Sequence, residues 1–75
     1  MHRIALVAGV EVHIHEAERG QMMRTQDRIE EAHQYAVLYD PYDDRWQTFR
    51  YGRLMYTAPS LNAALGFLRE QLGDH

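Results

Sequence analysis

Two turn signals cut residues 35–57 into three short segments, and this spacing constrains the fold more than any other feature of the chain. Tyr35–Asp40, Arg45–Tyr51 and Arg53–Thr57 carry the aromatic and β-branched residues that strands favour. Between the first two lies Pro41-Tyr42-Asp43-Asp44, in which proline presets φ and short acidic side chains bond nearby backbone N–H groups. Gly52 supplies a tight turn between the second and third. Strands joined by such short connections pair antiparallel, so this stretch predicts a three-stranded meander.

The flanking segments add one strand and two helices to the prediction. From Arg3 to His15 the residues alternate, with Ile4, Leu6, Ala8, Val10, Val12 and Ile14 on one side. Arg3, Ala5, Val7, Gly9, Glu11, His13 and His15 fall on the other. A period of two predicts a single strand with one buried face, in which Gly9 marks a bulge or bend. Over Gln21–Gln34, Met22, Ile29, Ala32, His33 and Ala36 share a helical stripe, and Asp27 with Glu30 provides a variant capping box for a shorter helix. The competing reading is a hairpin around Arg19-Gly20 with Met22 and Met23 in a second strand. At the C-terminal end Pro59-Ser60 opens a helix with Ser60 as N-cap, Leu61, Ala64, Leu65, Leu68 and Leu72 form its apolar stripe, and Gly73 ends it. The expected architecture is therefore a single α+β domain over residues 1–75: a small antiparallel sheet with two helices, in the order β-α-β-β-β-α.

Composition narrows the chemistry. The chain has 75 residues and no cysteine, so neither a disulfide nor a cysteine-bound zinc ion stabilises it. Stability must come from a packed core, and the Ile4–Ile14 segment offers an edge or apolar face that a homodimer would cover. No run approaches the apolar length of a membrane span. The apolar Ile4–Val10 run is followed at once by Glu11 and lacks a small-residue cleavage site, so no signal peptide is read and a soluble cytoplasmic domain is expected.

The net charge of -3 is distributed unevenly. Through Asp44 four arginines face nine acids, whereas from Arg45 onward four arginines face two. All eight cations are arginine, whose planar fork stacks on aromatic rings and pairs bidentately with carboxylate or phosphate.

Pairing the meander through its turns assigns side chains to faces. One face holds Ala36, Leu38, Phe49, Leu54 and Tyr56 and suits the leucine stripe of the C-terminal helix. The other holds Tyr35, Val37, Tyr39, Trp46, Thr48, Arg50, Arg53, Met55 and Thr57. Asp40 then stands opposite Arg45, and Arg50 opposite Arg53. Large aromatics beside arginines are typical of binding surfaces. Tyr35, Tyr39, Trp46, Arg50, Arg53 and Met55, with Asp40, Asp43 and Asp44 of the turn, are accordingly expected to contact a partner. The competing reading has a helix covering this face and its aromatics serving as core, and a register slip of one residue would exchange the two faces.

Catalytic motifs are missing from the sequence. There is no glycine-rich phosphate loop and no nucleophile elbow, and Ser60, the only serine, is better used as a cap. Asp40, Asp43 and Asp44 read as turn chemistry rather than as a general acid/base pair. Metal-ligating candidates are confined to His13 and His15, with Glu11 on the same strand side and Glu16, Glu18 or His33 as further donors. The Gly9–Glu18 run is faintly similar to a cupin metal strand, but a cupin needs a longer chain and a second motif. No metal, no cofactor and no enzymatic activity are expected. Strand aromatics beside arginines also equip a chain to stack single-stranded bases, although the acidic first half would repel phosphate. A protein partner fits the mixed charge better, with direct nucleic-acid binding as the alternative.

Ala36-Val37-Leu38-Tyr39-Asp40-Pro41-Tyr42-Asp43-Asp44-Arg45-Trp46-Gln47 and Ala63-Ala64-Leu65-Gly66-Phe67-Leu68 resemble two stretches of a small phage-encoded anti-CRISPR protein acting on type I-F systems. The shared features are a strand ending in Asp-Pro, a polar turn into Trp-Gln, and an Ala-Ala-Leu-Gly-aromatic-Leu helix. The N-terminal strand and the segment after it have no counterpart. The resemblance implies a non-enzymatic inhibitor in the host cytoplasm that binds a bacterial CRISPR effector complex and hinders target-DNA recognition or nuclease recruitment.

Overall fold

The computed structural model describes residues 2–16 and 34–73. They form β1 (His2–Val7), β2 (Val10–Glu16), β3 (Tyr35–Asp40), β4 (Arg45–Arg50), β5 (Arg53–Ala58) and α1 (Leu61–Gly73). The strands make one five-stranded sheet in chain order, β1-β2-β3-β4-β5. β2 and β3 run parallel, and every other neighbouring pair is antiparallel.

The expected order β-α-β-β-β-α and its purely antiparallel sheet are thereby corrected: the sheet is mixed, has five strands, and carries one helix among the described residues. The helix expected over Gln21–Gln34, like its hairpin alternative, lies outside the described residues except for Gln34, a bend before β3.

The single strand expected from Arg3 to His15 is a hairpin. Ala8 and Gly9 have φ of 51° and 79°, the pair of left-handed conformations of a type I′ turn. This turn matches the natural twist of two strands, and glycine enters its second position without steric cost. The turn also explains why alternation misleads here. Val7 faces Val10, so odd positions of β1 share a side with even positions of β2. Ala5 and Val7 join Val10, Val12 and Ile14 in the core. Ile4 and Leu6 emerge on the opposite side, 55% and 72% exposed.

The second hairpin repeats the device, with Tyr51 at φ 51° and Gly52 at 78°. Between β3 and β4 the register is the one read from the sequence, from Tyr35 opposite Arg50 to Asp40 opposite Arg45. Between β4 and β5 it shifts by one residue. Arg50 faces Arg53 and Phe49 faces Leu54, but Thr48 faces Tyr56 and Trp46 faces Ala58. Met55 is the extra residue of this bulge, so Tyr56 and Ala58, rather than Met55 and Thr57, lie on the side of Trp46.

That side is the one α1 covers. Ser60 caps the helix as expected: its Oγ accepts the N–H of Ala63 at 3.1 Å, and its carbonyl accepts that of Ala64 at 3.1 Å. Ala64 and Leu68 insert among Val7, Val12, Ile14, Tyr35, Val37 and Ala58. Phe67 stacks on Tyr56 with ring centroids 4.6 Å apart. The expectation that the leucine stripe meets Ala36, Leu38 and Phe49 is corrected. The parallel register sets Ile14 beside Val37 and extends the β-branched face across four strands, which gives the helix a larger apolar bed. Ala36, Leu38 and Phe49 form a separate buried cluster on the other face.

Candidate functional site

The candidate partner-contact residues divide among three places. The acidic turn is the first, and much of it is spent on its own backbone. Asp40 is only 5% exposed. Its Oδ1 accepts the N–H of Tyr42 at 2.9 Å and of Asp43 at 3.3 Å, holding the turn closed. Asp44 takes the left-handed conformation, φ 53°, and its Oδ1 accepts the Tyr39 hydroxyl at 2.6 Å. Asp43 and Tyr42 are left facing solvent.

The second place is the aromatic face. Tyr35 is buried beneath α1, and Trp46 is half-buried against the same core, tilted against Tyr39 with centroids 4.9 Å apart. Tyr35 therefore belongs to the core, while Trp46 and Tyr39 are each only half-buried. Met55 is half-buried at the bulge.

The third place is the β4–β5 turn, where Arg50, Tyr51, Arg53 and Leu54 are all exposed. The Arg50 guanidinium lies 5.9 Å from the Tyr35 ring centroid and 5.8 Å from that of Tyr51, a cation held between two rings. The Tyr51 N–H donates to the Gln34 carbonyl at 2.8 Å, which ties the turn to the start of β3. Arg50 and Arg53 stand opposite each other as expected, like charges on neighbouring strands. Tyr51, which shares the two-residue turn with Gly52 and is not among the residues expected to contact a partner, is 66% exposed. The available signal was its place before glycine in a two-residue turn, where a side chain must project outward. Arg45 at the start of β4 and Arg50 at its end are about 17 Å apart, so the acidic and basic turns occupy opposite ends of the sheet.

His13 and His15 lie on the face away from α1, with His2 across from His15. The rings stack instead of converging: His2 and His15 are parallel within 4° at 4.4 Å, and His2 and His13 lie 5.1 Å apart. The His2 Nε2 and His13 Nδ1 share a hydrogen bond of 2.9 Å, one ring donating and the other accepting. Among the described residues no three His, Cys, Asp or Glu side chains are arranged to hold a metal ion. On the helix side of the same hairpin, Arg3 pairs with Glu16 at 3.0 Å.

No helix among the described residues is long and apolar enough to cross a membrane. Comparison with family models, curated proteins and solved structures finds no match to this chain.

Proposed function

We propose that this chain is a small non-enzymatic binding protein that inhibits a bacterial CRISPR effector complex, with the β4–β5 turn as its principal contact. One observation carries the binding reading. Tyr51 holds a left-handed backbone conformation that bulky residues disfavour, yet its ring stands in solvent beside an arginine. Asparagine would fit that position with less strain, so a tyrosine there is explained better by what its ring touches than by the fold. Tyrosine and arginine are also the residues that most often dominate interface energetics. The partner class comes from the resemblance of residues 36–47 and 63–68, and these two stretches pack together around Val37, Ala64 and Leu68.

The test is calorimetric titration of a purified type I-F effector complex with the wild-type chain and with Tyr51→Asn. Tyr51→Asn is expected to match or exceed the wild-type melting temperature while losing at least tenfold in affinity. Absence of wild-type binding at micromolar concentration sinks the CRISPR reading. Unchanged affinity in a folded Tyr51→Asn removes the turn as the contact.

The Arg50–Arg53 pair beside an exposed ring also favours a second reading, binding of single-stranded nucleic acid. It predicts oligonucleotide affinity that falls steeply with salt and weakens in Arg50→Ala and Arg53→Ala. Salt-independent or undetectable oligonucleotide binding eliminates it.

A further inference from the structure

The sheet has two edges, and they are treated differently. At β5 the Met55 bulge interrupts the strand and twists it, a common protection against unwanted pairing. β1 carries no bulge, proline or lysine. Its one arginine, Arg3, is engaged with Glu16. In a two-residue hairpin the closing pair, Val7 and Val10, exchanges hydrogen bonds, and the alternation places Ala5 and Arg3 in bonded pairs behind it. Ile4 and Leu6 therefore direct their N–H and C=O groups to the open side. Among the described residues no strand lies there. The same two residues expose large apolar side chains, 55% and 72% accessible.

We propose that β1 pairs antiparallel with β1 of a second copy of the chain, about a two-fold axis at Ala5, joining the two sheets into one. What the edge offers is a row of backbone donors and acceptors, and an extended strand that replaces water on them also covers the exposed side chains of Ile4 and Leu6. The sequence Ile4-Ala5-Leu6 selects a second copy because its large-small-large apolar pattern reads alike in both directions. Reversed about Ala5, it sets Ile4 against Leu6 and Leu6 against Ile4. Four exposed apolar side chains thus form one strip, and Ala5 meets its own counterpart. Arg3 falls opposite Val7, and the two Arg3 residues are kept about 14 Å apart, beyond the screening length at physiological salt. One six-residue strand from each copy makes a small interface, so affinity is expected in the micromolar range rather than the nanomolar.

The experiment is sedimentation equilibrium of the full chain from micromolar to millimolar concentration. The mass is expected to rise from 8.8 kDa toward twice that value, and Leu6→Lys, a change on an exposed face, is expected to weaken association at least tenfold without altering the circular dichroism. A second measurement uses the absence of native cysteine. Across the proposed axis Ala5 forms a non-hydrogen-bonded pair with Cα atoms about 4.5 Å apart, within disulfide reach. Ala5→Cys is expected to cross-link under mild oxidation far faster than Asn62→Cys on the exposed face of α1. A constant monomer mass through millimolar concentration overturns the proposal. So does association that Leu6→Lys leaves unchanged, or equal cross-linking of the two cysteine variants. Slow amide exchange at Ile4 and Leu6 in a proven monomer places the edge's partner within the same chain and likewise overturns it.

Discussion

Thr48 sits wholly inside the molecule, between Val37 and Tyr56 on the helix side of the sheet, and its hydroxyl has no hydrogen-bond partner among the described residues. A buried hydroxyl in that state costs stability, because it gives up its bonds to water and receives none in exchange. Thr48→Val keeps the branched shape and is expected to stabilise the fold by about 1 kcal/mol, read by urea denaturation. A loss of stability in that variant would contradict the unsatisfied state. Asp40 is the opposite case. It is nearly as buried, but both turn amides bond to it, which is why an acidic side chain is tolerated there. Its role was legible in the sequence because Asp-Pro followed by short acids is local chemistry. Thr48 was not legible in the same way. Its burial depends on which face the helix chooses, and that choice is made by residues far away in the chain.

At the scale of elements, the meander and the C-terminal helix follow from the sequence because each is specified by its neighbours. Pro41, Gly52 and Ser60 mark the boundaries, and β3 spans the residues expected, Tyr35–Asp40. The N-terminal hairpin escaped the same reading for a physical reason. Ala-Gly lacks the asparagine that usually announces a type I′ turn, and a two-residue turn leaves the apolar alternation unbroken along the chain. The bulge at Met55 has no local signature either, yet it decides which of Met55 and Tyr56 meets the helix. Ala8, at φ 51°, is strained in a position that asparagine tolerates better. Ala8→Asn is therefore expected to stabilise the chain by about 1 kcal/mol in thermal or chemical unfolding. Ala8→Val is expected to move it the other way, since a β-branched residue suits that conformation least. Equal stabilities would remove the hairpin from the fold.

For the whole molecule the margin is narrow. Among the described residues one helix, α1, packs on the core, and Leu68 is its largest fully buried side chain. Leu68→Ala is expected to cost about 2–5 kcal/mol, a large share of the 5–15 kcal/mol typical of a whole domain. Such a variant should be substantially unfolded at 37 °C by circular dichroism, and a cooperative transition near the wild-type temperature would show that the fold does not depend on the helix. The part of the uneven charge carried by the two turns is separated in space, because the Asp40–Asp44 turn and the Arg50–Arg53 turn lie at opposite ends of the same strands. The proposed contact surface was only half legible: it joins Arg50 and Arg53, which the sequence singled out, to Tyr51, which it did not, while Tyr35 is buried in the core and Trp46 packs partly against it.

The unlike edges of the sheet also set a limit on growth. A sheet that accepts a strand on both sides is a monomer unit for a fibre, with each addition exposing a fresh end. Here the bulged side stops extension, and in the proposed pair the open side is used up by its own symmetry mate. Assembly of that proposed kind would terminate at a pair and display both basic turns on one particle, so that a binder of modest strength would meet a repetitive target twice.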